Sequence, residues 1–191
     1  ELVLTSPFDP FGSVVIPVEA TRAGSTTLRR TVAEGDLPLR PNTTLRGAWR
    51  IVFADGLTVE GPPVSVTYRD TRFTWRTLTG STVRVHRYRG DDAFGKRALG
   101  IGEEAVARIG KLLGVAEREP VDFFIYSEEN AFYDALGPGT RENVGGQANP
   151  EIRTLFALIT PAEIDARWVA TVIPHELSHL VFDTAVANPY H

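Results

Sequence analysis

The chain reads as an α+β protein, an N-terminal antiparallel β-sandwich followed by a mixed α/β domain that ends in a helix bearing paired histidines. Three observations predict this. Up to about residue 78, short β-branched runs alternate with turn residues and no helical period emerges. From about residue 79, strand-like and helix-like stretches take turns. Near the end, His175-Glu176-Leu177-Ser178-His179 sets two imidazoles four residues apart. The predicted division is therefore 1–78 and 79–191.

In the first part, the runs Val14–Val18, Ala48–Phe53 and Val64–Tyr68 are separated by turn-rich stretches such as Glu34-Gly35-Asp36 and Gly61-Pro62-Pro63. Short strands at such spacing predict a small antiparallel sandwich. Asn42-Thr43-Thr44 fits a glycosylation acceptor, a tripeptide that also arises by chance. In the second part, Val83–Tyr88 alternates as a strand, which places His86 on its polar, surface side. Asp91 or Asp92 caps a helix running to about Leu113, with Phe94, Ala98, Ile101, Ala105, Ile109 and Leu112 on one apolar face. Val121–Tyr126 is a continuous apolar strand, and Ser127 caps a short helix through about Leu136. Residues 137–150 form a Gly-rich loop and Ile152–Ile159 a further strand. Thr160-Pro161-Ala162-Glu163 is a capping box opening a helical stretch toward Asp183.

Composition excludes several classes. The 191 residues are 42% hydrophobic and 23% charged, near the globular average, which rules out a disordered tail, a fibre or a simple coiled coil. No apolar run approaches the ~18 residues that span a bilayer. The chain opens at Glu1 without Met or a charged-then-apolar leader, so it reads as a processed or excised piece of something longer. A net charge of −4 argues against nucleic acid as the main partner, because phosphate binding needs a concentrated basic surface. Without cysteine there is no disulfide framework, thiol nucleophile or Cys-based zinc site.

The histidine-bearing segment carries the chemistry. On a helix, positions i and i+4 lie one above the other, so His175 and His179 can grip one zinc ion (Zn²⁺) from one side. Glu176 projects about 100° round from His175, near the metal without binding it, where a general base can take a proton from a water on the ion. The apolar flanks Val172-Ile173 and Leu180-Val181 predict a helix buried around its ligands. Asp183, one turn beyond His179, reads as an orienting partner more than a direct ligand.

The stretch Val172-Ile173-Pro174-His175-Glu176-Leu177-Ser178-His179-Leu180-Val181-Phe182-Asp183 resembles the active-site helix of the zincin metallopeptidases. Among them it is most similar to the thermolysin-like gluzincins, and more narrowly to the bacterial peptidase MA-like family. Asp183 matches an acidic residue often found there, and Asn188-Pro189-Tyr190-His191 is similar to the peptidase MA-like continuation. The resemblance implies the N-terminal half of a zincin catalytic domain. It also implies an exported or cell-surface bacterial protein, a peptide or protein substrate, and cleavage within a chain rather than from its end. It implies a third ligand, a Glu some twenty or more residues after His179 and thus expected beyond residue 191. His191 could in principle supply a third nitrogen, at a spacing that fits no zincin class. Residues 1–191 alone are therefore expected to be weak or inactive.

Zincins present an edge strand to the substrate backbone. The candidate here is Asn149–Ile159, with Gly145, Gly146, Gln147 and Ala148 leading in; Gly146, Gln147, Ala148 and Asn149 are the expected substrate-strand residues, although a Gly-rich loop can equally be a turn. No acidic residue stands in 146–149 to hold a free amino terminus, which disfavours an aminopeptidase. Pro174, directly before His175, departs from the zincin pattern and predicts a bend over Ala170–Pro174. The rival reading is a catalytically degenerate zincin-like domain acting as a cell-surface binding module.

Overall fold

The structure is a computed structural model that describes residues 1–8, 13–18, 27, 39–137, 140 and 144–186. The chain is α+β and divides into two compact units, Glu1–Asp70 and Thr71–His191. The division falls nearer residue 70 than the expected 79, because Arg76–Thr79 pairs with the strand after it and not with the first sheet.

In the first unit, β1 (Leu2–Thr5), β2 (Val14–Ile16), β3 (Thr44–Val52), β4 (Thr58–Glu60) and β5 (Val64–Thr67) form one antiparallel sheet. β4 and β5 both pair with β3, and their break falls at Gly61-Pro62-Pro63, where proline removes ladder donors. One face of this sheet is apolar. Leu4 and Ile16 are buried on it, while Trp49, Ile51, Val59, Val64 and Val66 on the same face are exposed. Among the described residues this unit holds a single layer.

The second unit holds β6 (Arg76–Thr79), β7 (Val83–Arg87), α1 (Asp92–Leu113), β8 (Val121–Tyr126), α2 (Glu129–Leu136), β9 (Gly146–Asn149), β10 (Thr154–Leu158) and α3 (Val169–Val186). The sheet order is β6-β7-β8-β10-β9. β8 lies parallel to β7 and to β10, and the two outer pairs are antiparallel. Buried on both faces, β8 is apolar throughout, apart from Asp122. Val121, Phe123 and Ile125 meet α1 and α3 on one side; Phe124 and Tyr126 meet α2 on the other.

α1 starts and stops where its sequence says it should. Asp91 Oδ1 accepts the N–H of Phe94 at 2.9 Å, and Gly114 closes the helix at φ 71°, a left-handed conformation that favours glycine. Its buried stripe runs through Phe94, Ala98, Gly102, Ala105, Val106 and Ile109, while Leu112, expected in that stripe, is 82% exposed. Gly102 belongs to the stripe because a Cβ there would sit 3.2 Å from Val83 Cγ1.

Other expectations are corrected. Ser127 does not cap α2; its hydroxyl donates to the carbonyl of Ile159, and Glu128 stands at the cap. The Thr160–Glu163 capping box forms, but it closes only a 3₁₀ turn at Pro161–Glu163, and α3 begins afresh at Val169. Bonds of i→i+3 type carry the chain between them while Ile164 turns into the core. Pro174 lies within a continuous helix; the bond it forgoes is to Ala170, in the first turn. His86 is no surface residue: Asp122 Oδ1 lies 2.7 Å from its Nε2, Thr77 Oγ1 2.9 Å from its Nδ1, and Phe124 stacks at 4.2 Å.

Candidate metal centre

α3 is apolar enough to be buried, yet it turns only one side inward. Ile173, Leu177, Leu180 and Val181 pack into the main core. The opposite side carries His175, His179, Phe182, Asp183 and Val186, all exposed. The expected burial around the ligands is thus confined to the helix's inner face, and the His175 side chain is 65% exposed. The i, i+4 spacing sets the two rings with centroids 5.0 Å apart and planes at 90°.

Glu176 occupies the flank between the two sides. Its side chain is 15% exposed and its carboxylate is turned toward β9, where Oε2 accepts the main-chain N–H of Ala148 at 3.0 Å; Oε1 lies 4.0 Å from His175 Nε2. Gly146 makes this approach possible. A Cβ there would meet Glu176 Cγ at 3.1 Å and Val172 Cγ1 at 3.4 Å, and one at Gly145 would meet the Trp168 ring at 3.1 Å. The far end of α3 is tied down as well. Glu117, whose side chain is 1% exposed, accepts from Arg153 Nη2 at 2.5 Å and from Thr184 Oγ1 at 3.1 Å. Arg153 adopts a left-handed backbone at φ 49°, unusual outside glycine.

The structure brings together His175, Glu176 and His179 with Gly146 and Ala148. The edge strand is β9, Gly146–Asn149, and not the stretch Asn149–Ile159, because β10 is held on both sides by β8 and β9. Gly146, Gln147, Ala148 and Asn149 are therefore all edge residues. The Asp183 side chain is exposed and makes no hydrogen bond or ion pair with a described residue. His191 lies outside the described residues. The donor set fits zinc as far as it goes: two exposed imidazoles on one helix face, with no described residue packed over them. Among the described residues no third His, Asp or Glu joins them to complete a metal cluster.

Sequence reasoning missed the Glu176–Ala148 bond and the Glu117–Arg153–Thr184 tie. A signal for the first was present in Gly145-Gly146, where paired glycines mark close approach. The second joins residues far apart in the chain and has no local signal. Compared with known proteins, the chain matches no family model, no curated protein and no solved structure.

Proposed function

We propose that the second unit carries the metal-binding helix of a zinc-dependent metallopeptidase of gluzincin type, an endopeptidase acting on extended peptide or protein substrates outside the cell. The observation that carries this reading is the joint placement of His175 and His179 on one exposed helix face, with Glu176 between that face and an edge strand. His175 and His179 would hold the ion. When bound, zinc supplies Lewis-acid polarisation of the scissile carbonyl and lowers the pKa of water. Glu176 takes the proton from the attacking water and hands it to the leaving amine. The free edge of β9 receives the peptide as an added strand, so main-chain groups fix the scissile bond beside Glu176. The same reading takes the first unit's sheet as one layer of a β-sandwich, since its exposed apolar face is the kind a second layer covers.

A second reading is favoured by the donor count. Two histidines without a third ligand among the described residues suit a zincin-like domain that has lost catalysis and serves as a cell-surface binding module. Zinc titration of the chain by calorimetry, alongside H175A and H179A, tests both. The metallopeptidase reading expects saturable binding that either variant weakens on the order of a hundredfold, and chelator-sensitive peptide cleavage once a third ligand is supplied. Zinc binding indifferent to both histidines overturns it. Histidine-dependent binding without cleavage under any ligand supply leaves the binding module.

A further inference from the structure

β9 pairs with β10 in antiparallel register, Gly146 with Ala157 and Ala148 with Leu155. Main-chain groups in such a pair alternate between facing the partner strand and facing away. Leu158 donates to the carbonyl of Gly145, which sets Gly145, Gln147 and Asn149 toward β10 and leaves Gly146 and Ala148 facing the outer edge, which no described strand pairs. The outward N–H of Ala148 is the one that Glu176 Oε2 already holds at 3.0 Å. A peptide added to this edge needs that same donor for one of its carbonyls.

We propose that the Ala148 N–H is a switch contact for Glu176: it parks the carboxylate against β9 while the edge is empty, and an extended peptide's carbonyl displaces it. This deepens the metallopeptidase reading and rests on it, since only there does the freed carboxylate have a water to act on. One donor cannot serve both acceptors well, so strand addition and the parked carboxylate compete. Gly146 is the positioning residue, because its missing side chain is what lets Glu176 lie across the strand. The arrangement confines a free carboxylate to the moments when a substrate backbone is in place. The occupant it selects is a peptide in extended conformation with an unblocked main-chain carbonyl, whatever its side chains.

The experiment is fluorescence anisotropy with a labelled casein peptide on metal-free protein, which cannot cut it. E176A vacates the donor and is expected to bind the peptide about tenfold tighter than the unsubstituted chain, since a charge-assisted hydrogen bond no longer has to be broken. E176Q keeps a weaker acceptor and falls between. A148P deletes an N–H that β10 does not use, a place where an edge strand tolerates proline, and is expected to weaken binding severalfold. In amide NMR spectra, the Ala148 resonance should move with E176A and again with peptide on the unsubstituted chain. Equal affinity of E176A and the unsubstituted chain overturns the proposal. So does tighter binding by A148P. Zinc titration of the same samples separates the two failures: histidine-dependent binding with no E176A effect sinks only the switch, and loss of that binding sinks the metallopeptidase reading.

Discussion

His175 and His179 stand one helical turn apart with ring centroids 5.0 Å from each other, while Leu177 between them is fully buried. A single helix thus holds a pair of nitrogen donors in water and a core anchor beneath them. The split lets metal affinity and stability be altered separately.

Replacing either ring by Ala should lower zinc affinity on the order of a hundredfold, about 3 kcal/mol per lost ligand. Both side chains are exposed, so the melting temperature of the metal-free protein should hold within a degree or two. Cobalt substitution followed by absorption spectroscopy gives the affinity, and calorimetric melting gives the control. A variant that melts far lower without changing affinity would contradict the division.

Leu177→Ala should behave in the opposite sense. Removing a fully buried leucine costs about 2–5 kcal/mol through lost transfer energy and the cavity left behind. Urea unfolding should show the loss as a lower midpoint with an unchanged slope. Zinc affinity should fall only as far as the helix frays.

Glu103 contributes to the acid limb of stability. Burial pushes its carboxyl up, but hydrogen bonds from Ser81, Thr82 and Val83 outweigh that and hold it below its ordinary value of 4.5. A depressed carboxylate contributes stability that is present above its unfolded value and lost as pH falls through the folded one. Glu103→Gln should therefore lower the melting temperature at neutral pH and flatten its decline below pH 4.5. Melting curves at stepped pH for the two proteins check this. Parallel curves would refute it.

Glu117→Ala strips Arg153 of its buried partner and Thr184 of an acceptor. Breaking such a pair leaves a charge uncompensated, and with Arg153 partly exposed the cost should be about 2–4 kcal/mol. Hydrogen exchange should rise in the last turns of α3 before the rest of the helix. Uniform protection along α3 would show that the tie does not anchor its end.

The legible parts of the fold carried their own punctuation. Asp91 and Gly114 bracket α1 because a cap needs only local chemistry, and β8 shows as an unbroken apolar run because both its faces are covered. β9 was hidden. Gly146-Gln147-Ala148-Asn149 has no β-branched residue, and its conformation comes from pairing with β10 and from Glu176. The paired histidines are readable as a spacing, but which way they face depends on where Leu177 and Leu180 find their core. His86 shows the same limit: alternation gives the face of a strand, and only tertiary packing brings Asp122 and Phe124 to that face.

Ala148 and Glu176 are separated by 28 positions along the chain, with β10 and the start of α3 between them. A loop of that size closes cheaply, since closure entropy grows only with the logarithm of length. The edge and the base therefore meet at little entropic cost, while the direction in which the imidazole pair faces is set by α1 and β8, which supply the core under α3.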